Sequence, residues 1–197
     1  MDERAPFVLA TRNAHKLAEF RRLLEPAGIA VRALPDGIEL PPEDGETFAD
    51  NAWPKAHRAA AATGLVALAD DSGIEAEALG GAPGVRSARY AGPRAGDAQN
   101  LDKLVREVPA GSALRYVCAL AYVDPRTGAE RMFIGDCHGR LADTARGLRG
   151  FGYDPVFVPD EDGQQRTMAE LTDQEKDAIS HRGNAVRAML AWLGDQP

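Results

Sequence analysis

Short apolar runs and longer amphipathic stretches alternate along the chain. Mostly apolar runs at 6–11, 29–34 and 65–69 have the length of buried strands. Two longer runs, 114–123 and 131–141, follow one another across the turn sequence DPRTG and predict an antiparallel hairpin. Strands that alternate with helices indicate an α/β fold. The hairpin argues against a purely parallel sheet, so we expect a mixed, twisted sheet with flanking helices.

Side chains that can cap a helix N-terminus stand just before stretches with apolar residues three or four positions apart. The predicted capping residues are Asn13, Thr47, Asp97, Thr172 and Ser180, and Glu175 completes a capping box after Thr172. The helix that begins at Thr47 is expected to reach about Thr63, and Pro54 inside it predicts a kink.

Composition narrows the class of protein. A chain of 197 residues with 44% hydrophobic content is long enough for one core, so we expect a single domain over residues 1–197. Neither a leader-like N-terminus nor a membrane-length apolar run is present, which predicts a soluble cytoplasmic protein with no membrane partner. The net charge of -7 argues against a nucleic-acid partner. Cys118 and Cys137 lie in apolar runs and are expected to be reduced thiols.

The first candidate binding segments are ATRNAHK (10–16) and the acidic PEDGET (42–47). Free amides at a helix N-terminus attract anions, and Lys16, one turn into the helix, adds a full charge for a phosphate. Thr-x-Asn-x-x-Lys is nevertheless common in ordinary capped helices, and acidic loops are usually just solvated. Taken alone, these two segments favour a structural reading over a functional one.

Two adjacent carboxylates, Asp70 and Asp71, directly follow the apolar run 65–69. Successive side chains of an extended backbone point in opposite directions, so we expect only one of the two to face a given site. The other would serve the fold, as an acceptor for a nearby lysine or amide, or would make a second metal contact. A simple polar turn is an equally good interpretation of this pair by itself.

Two further polar segments, GFGYDPVF (150–157) and EKDAISHRGNA (175–185), combine aromatic, acidic and basic residues. Aromatic rings stack on a base, a carboxylate accepts its hydrogen bonds, and cations donate to phosphate or carbonyl oxygens. The residues with these chemistries are Phe151, Tyr153, Asp154, Lys176, His181 and Arg182. An anchored turn and an exposed helix start would explain each segment separately, but not their occurrence together with the earlier ones.

The order of these motifs resembles the inosine triphosphate pyrophosphatase family, also called the non-canonical purine NTP pyrophosphatases. The resemblance covers nearly the whole chain and rests on TRNAHK, E-x-G, TFADNA, ADDSG followed by GGAPG and SARY, FGYDPVF and AISHRG. It implies two lobes around a central nucleotide-binding cleft, a homodimer and Mg²⁺ as cofactor. The implied reaction converts ITP, dITP or XTP and water to the monophosphate and pyrophosphate, which removes deaminated purines from the nucleotide pool.

The resemblance also implies roles for individual residues. Asp71 matches the catalytic aspartate that binds the metal, and Glu43 matches the second metal ligand, with Asp44 a neighbouring possibility. The positions that match substrate-binding residues are Thr11, Arg12, Asn13, Lys16 and Lys55 for the triphosphate, Ser72 after the catalytic aspartate, and Phe151, Gly152, Tyr153, Asp154, Lys176, His181 and Arg182 for the base and its surroundings.

Three positions depart from the family pattern. Arg12 replaces a common glycine, Asp50 replaces a usual glutamate, and Pro54 interrupts a helix that is generally Leu-rich there. Arginine disfavours backbone conformations that glycine allows, so Arg12 puts the close approach of its loop to a ligand in question.

The chemistry of these residues supports a mechanistic hypothesis. We expect water, deprotonated by Asp71, to attack the α-phosphorus in line, and Arg182 to donate to the six-carbonyl of hypoxanthine or xanthine, which an adenine amine would not accept. Alternatives are an enzyme for modified pyrimidine triphosphates, a nucleotide sensor without hydrolysis, and an interaction domain. The sequence does not identify the residue that excludes guanine or a residue that reads the 2′-hydroxyl.

Overall fold

The computed structural model describes residues 5–195, which form a mixed α/β structure. The strands are β1 (Phe7–Leu9), β2 (Val31–Ala33), β3 (Ala67–Ala76), β4 (Ala113–Val123), β5 (Glu130–Leu141) and β6 (Phe157–Pro159). The helices are α1 (Ala14–Leu24), α2 (Phe48–Thr63), α3 (Asp97–Glu107), α4 (Asp173–Ile179) and α5 (His181–Gly194).

A six-stranded sheet in the order β2-β1-β3-β4-β5-β6 organises the fold. β1 pairs in parallel with β2 and with β3, whereas β5 and β6 are antiparallel. β4 and β5 are neighbours joined by the turn 124–129, where the Asp124 amide donates to the Ala129 carbonyl at 2.8 Å. So short a connection permits only an antiparallel pair. The predicted hairpin and mixed sheet are therefore confirmed.

The chain divides into two compact units, which we call unit 1 and unit 2. Unit 1 comprises the chain up to Asp71, Cys118–Gly135 and the chain from Ala185 on, and unit 2 comprises Ser72–Val117 and Asp136–Asn184. β3, β4 and β5 contribute residues to both. Each unit has its own apolar core, centred on Phe20, Leu68 and Leu120 in unit 1 and on Ile74, Leu104 and Phe157 in unit 2.

The helix starts follow the predicted caps with one exception. Asn13, Thr47 and Thr172 accept hydrogen bonds from backbone amides at the starts of α1, α2 and α4. The Ser180 hydroxyl accepts from the Gly183 amide at 3.0 Å in the first turn of α5. The prediction for Asp97 is wrong by one residue, because α3 is capped at Gly96, whose amide donates to the Gln99 side chain at 3.0 Å.

Three other sequence predictions concern α2, the cysteines and membrane-spanning helices. α2 continues through Pro54 to Thr63, and the kink stays a prediction. Cys118 and Cys137 are buried and are not joined in a disulfide, and burial beside acidic groups raises the pKa of Cys137 to about 12. Within residues 5–195, no helix has the length and apolar character needed to cross a membrane.

Candidate functional site

The predicted site residues form two clusters, one in each unit. The cluster in unit 1, here called the acid-lysine cluster, contains Thr11, Arg12, Asn13, Lys16, Glu43, Lys55 and Asp71. The cluster in unit 2, here called the aromatic cluster, contains Ser72, Phe151, Gly152, Tyr153, Asp154, Lys176, His181 and Arg182.

The two adjacent aspartates lie inside a strand, which corrects the expectation that they follow one. β3 extends from Ala67 to Ala76, so Asp70 and Asp71 are central residues of an extended segment. Both are buried, with 1% and 6% of their surface exposed. They could not be read as strand residues from the sequence, because isolated carboxylates are unfavourable in a sheet interior unless other elements supply partners.

Asp70 connects the two lysines of the acid-lysine cluster. Its carboxylate forms an ion pair with Lys16 Nζ at 2.9 Å, and its backbone carbonyl accepts from Lys55 Nζ at 2.7 Å. The Asp70 side chain has no exposed surface, and that of Lys16 is 15% exposed. Asp70 therefore serves the fold by holding two cations in place, one of the roles expected for it.

Asp71 is held by α2. Asn51 Nδ2 donates to Asp71 Oδ2 at 2.8 Å, while Asn51 Oδ1 accepts from the Gly45 amide at 2.8 Å. Burial raises the pKa of Asp71 above its ordinary value, an effect opposed by the Asn51 hydrogen bond and by the charges of Lys55 and Lys16. A buried carboxylate with a raised pKa and an oriented oxygen is suited to accept a proton.

Glu43 and Lys55 form another ion pair of this cluster. Lys55 Nζ lies 2.5 Å from Glu43 Oε1, and the Glu43 side chain is 40% exposed. The charge of Glu43 also raises the pKa of Asp71, although less than burial does. No group of three His, Cys, Asp or Glu side chains suited to a metal occurs among residues 5–195.

The motif around Asn13 has a local structural role as well. The Thr11 hydroxyl accepts from the Asn13 amide at 3.1 Å, and Asn13 Oδ1 accepts from the amides of His15 and Lys16 at 2.9 and 3.2 Å. Arg12 extends its guanidinium to backbone carbonyls of the segment that follows β2.

A buried carboxylate organises the aromatic cluster. Asp154 is 3% exposed and accepts from Lys176 Nζ at 2.6 Å, from the Phe151 amide at 2.9 Å and from the Tyr116 hydroxyl at 3.2 Å. Burial and the Asp154 charge raise the pKa of Tyr116 well above its ordinary value, so Tyr116 is a neutral donor. These bonds use both carboxylate oxygens, and Asp154 therefore orients the cluster around it.

Three side chains near Asp154 present flat or cationic surfaces. His181 stacks on Tyr116 with ring centroids 4.7 Å apart and an interplanar angle of 10°. Arg182 Nη2 donates to the Ser72 hydroxyl at 2.7 Å. The Phe151 ring lies 5.2 Å from Lys176 Nζ and 5.4 Å from the Arg182 guanidinium carbon, within cation–π range.

Residue Asp97 of α3 holds the loop 151–154 in place. The Asp97 carboxylate accepts from the Gly152 amide at 2.9 Å. Tyr153 is 5% exposed, packs in the core of unit 2 and donates from its hydroxyl to the Ser87 carbonyl at 2.7 Å. Of the two aromatic residues expected to stack on a ring, Phe151 is thus the one with the more exposed side chain.

Sequence reasoning missed three residues of these clusters. Asn51 lies in the quoted motif TFADNA, but nothing local predicts its bond to Asp71, twenty residues further on. Tyr116 occupies an alternating position of a predicted strand and looks like an ordinary core residue. The Asp97 carboxylate was interpreted as a helix cap, and its bond to Gly152 spans fifty-five residues. Only the three-dimensional fold brings these side chains to their partners.

Comparison with known proteins gives concordant matches. The Ham1 family model matches residues 7–192. A dITP/XTP pyrophosphatase of Cutibacterium acnes is 48% identical over 191 residues, covering 93% of each chain, and one of Frankia alni is 49% identical over 197 residues, covering 94% of this chain and 96% of the relative. A solved HAM1 protein from Coxiella burnetii is 40% identical, with a TM-score of 0.83 over 97% of this chain and 99% of that one.

The family match spans almost all of the residues that the structure describes, and the fold agrees with a solved member. The motifs quoted from the sequence predicted the same relationship, and that prediction is confirmed. The chain belongs to the Ham1 family.

Proposed function

We propose that the protein hydrolyses ITP, dITP and XTP to the monophosphate and pyrophosphate, and so removes deaminated purines from the nucleotide pool. The names of the relatives from Cutibacterium acnes and Frankia alni support this substrate class. The structural observation that carries the proposal is the setting of Asp71. It is buried, oriented by Asn51 and surrounded by the charges of Lys16, Lys55 and Glu43.

The acid-lysine cluster suits the triphosphate end of the substrate. The amides of His15 and Lys16 at the start of α1 are capped by Asn13, and the positive end of the helix dipole there still favours a nearby anion. Lys16 and Lys55 are held on carboxylates and on the Asp70 carbonyl, so their ammonium groups are already oriented. An acidic protein needs such local cations to bind a polyanion, and here the fold concentrates them beside the carboxylate that reacts.

The residues present also fit a divalent cation. Ham1 pyrophosphatases generally depend on a divalent metal ion, and we propose Mg²⁺. This ion takes one or two carboxylates and completes its shell with phosphate oxygens and water, so the absence of a three-carboxylate group among residues 5–195 is compatible with it. We propose that Glu43 and Asp71 hold the ion. Glu43 is favoured over Asp44 because Lys55, which pairs with Glu43, also bonds the carbonyl of Asp70, next to Asp71. When bound, Mg²⁺ would neutralise charge that develops on the phosphate oxygens.

Asp71 is the proposed general base. Its carboxylate accepts a proton from water while the water oxygen forms a bond to the α-phosphorus. The bond from that phosphorus to the bridging oxygen breaks, and pyrophosphate leaves with the electron pair. Asn51 fixes one oxygen of Asp71 and leaves the carboxylate oriented, while Lys16 and Lys55 stabilise the negative charge that builds up on the leaving group.

The aromatic cluster suits the base. Phe151 offers a ring face, and Arg182, held by Ser72, offers hydrogen-bond donors to a six-carbonyl. Adenine presents an amine at that position, so the guanidinium of Arg182 would face another hydrogen-bond donor instead of an acceptor. A site of this kind discriminates by a factor of about 10⁴ when a buried partner is left unpaired. Asp154 holds Phe151 in position by accepting from its backbone amide, and Lys176, which pairs with Asp154, lies over the face of its ring.

A substrate panel tests the proposal. Pyrophosphate release is measured from ITP, dITP, XTP, ATP, GTP, CTP and UTP, with and without Mg²⁺. We expect fast, metal-dependent release from the first three. Release from CTP or UTP instead would favour the enzyme for pyrimidine triphosphates. No release from any of them, with nucleotide binding intact in a separate binding assay, would favour the nucleotide sensor.

Arg182→Ala is the matched test of base selection. The proposal requires this variant to lose most of its preference for ITP over ATP. An unchanged preference in a folded variant would refute the role of Arg182 in reading the carbonyl.

We also propose the homodimer that the resemblance implies, together with the single domain expected from the chain's length and composition and the cytoplasmic location expected from its apolar pattern. The net charge of -7 supports the proposal that nucleic acid is not a partner.

A further inference from the structure

The segment between β2 and α2 carries Glu43 and is held by side chains from one face of α2. Asn51 accepts from the Gly45 amide, Lys55 donates to Glu43, and Arg58 Nε donates to the Glu39 carbonyl at 3.2 Å. These three residues are spaced four and three positions apart, which aligns them along one side of a helix. The part of the segment from Glu39 to Gly45 is therefore anchored to α2.

The beginning of the same segment is held by a different element. Arg12 Nη1 donates to the Leu34 carbonyl at 2.8 Å, and Nη2 donates to the carbonyls of Pro35 and Ile38 at 3.0 and 2.8 Å. Asp36 adds an exposed carboxylate 3.8 Å from Nη1. One guanidinium thus gathers three carbonyls of a turn that has no strand or helix of its own.

The rigid fork of arginine explains why this residue type fits here. Its donors have fixed directions and bond several acceptors at once, whereas a lysine ammonium is a single point on a flexible stem. The backbone φ of Arg12 is not positive, so this position does not require the glycine that is common there. The concern that arginine would distort the loop is thereby answered.

We propose that Arg12 is a positioning residue, which ties the proposed triphosphate-binding segment 11–16 to the segment that carries Glu43, the proposed metal ligand. This inference rests on the proposed function and replaces the direct substrate contact expected of Arg12 from the sequence. Thr11 and Asn13 flank Arg12, so the same backbone that caps α1 also fixes the start of the 34–45 segment. Phosphate binding and placement of Glu43 are coupled through one side chain.

Hydrogen–deuterium exchange of the nucleotide-free protein tests the anchoring without any turnover. In Arg12→Ala we expect amides at 36–40 to exchange faster by roughly 10-fold or more, since three hydrogen bonds from one charged donor are lost together. The Gly45 amide, which Asn51 holds, should change much less. Arg32→Ala, which removes an exposed arginine of β2, is the matched control and should leave the segment unchanged.

Two further measurements separate positioning from direct binding. In Arg12→Ala the Mg²⁺ concentration for half-maximal ITP hydrolysis should rise severalfold, whereas KM for ITP at saturating Mg²⁺ should stay near the wild-type value. Arg12→Lys should behave like Arg12→Ala, because it keeps the charge and loses the fork.

Normal exchange at 36–40 together with a raised KM at saturating metal would identify Arg12 as a substrate ligand and overturn the proposal. Wild-type behaviour of Arg12→Lys in exchange would also overturn it, because charge alone would then suffice. If the wild-type protein hydrolysed none of the triphosphates, the proposed function would fail, while the exchange result would still decide whether Arg12 anchors the segment.

Discussion

The buried ion pair between Lys176 and Asp154 allows a quantitative prediction. The two side chains are only 6% and 4% exposed, and Nζ lies 2.6 Å from Oδ2. Lys176→Met removes the cation and leaves the Asp154 carboxylate buried, with only the Phe151 amide and the Tyr116 hydroxyl as remaining donors named above. Breaking a buried pair in this way typically costs about 3–5 kcal/mol of unfolding free energy.

For a chain of this size, about 2–4 °C of melting temperature is lost per kcal/mol, so Lys176→Met should melt roughly 6–20 °C lower. Thermal and urea unfolding followed by circular dichroism measure the change. Lys103→Met is the control, because its half-buried ammonium donates to the Tyr90 carbonyl at 2.9 Å, and a hydrogen bond from a charged group is typically worth about 1.5–3 kcal/mol, less than a buried ion pair.

A double-mutant cycle tests the reason for the loss. Asp154→Asn combined with Lys176→Met removes both charges and should recover about 1–3 kcal/mol relative to Lys176→Met alone. If Lys176→Met lost less than about 1 kcal/mol, or if the double variant were the less stable of the two, the uncompensated buried charge would not be the cause.

Three other substitutions have expected outcomes. Asp71→Asn should lower turnover of ITP by a factor of about 10²–10⁴ in steady-state assays. Because burial raises the pKa of Asp71, the unfolding free energy of the wild type falls as pH rises through that pKa. This part of the pH dependence should be absent from the variant in urea titrations at several pH values. Asn51→Ala removes a bond that lowers the pKa of Asp71, so the acidic limb of the kcat/KM profile should move to higher pH, and an unmoved limb would contradict the assignment of Asp71 as the base. Gly150→Ala should lose about 1–3 kcal/mol of stability, since Gly150 has a φ of 72° and a Cβ there would lie 2.1 Å from Asp154 Oδ2; Gly152→Ala, where φ is 63° and no atom lies within 4 Å, isolates the backbone effect.

Local signals made the secondary structure predictable. Asn13, Thr47 and Thr172 cap their helices as expected because capping depends on side chains and amides within three residues of each other. The hairpin of β4 and β5 is likewise encoded in two alternating runs and one turn. The predicted cap of α3 was wrong by one position, because Gly96 and Asp97 are neighbours and both residue types are favoured at a helix N-cap.

The partners of the site residues were less accessible to the sequence. Asp70 and Asp71 looked like the end of a strand, and Lys16, Lys55 and Asn51 from two helices supply partners that make these carboxylates tolerable inside one. These contacts depend on packing between elements, which leaves no periodic trace in the chain. The family resemblance supplied the residue types at the site, and the structure supplied the contacts among them.

Isotope labelling of the products tests the central claim most directly. The enzyme is incubated with dITP and Mg²⁺ in H₂¹⁸O, the products are separated, and their masses are measured by mass spectrometry. Attack of water on the α-phosphorus predicts one ¹⁸O atom in dIMP, unlabelled pyrophosphate and no free phosphate. Label in pyrophosphate, or stepwise release of phosphate, would contradict the proposed reaction.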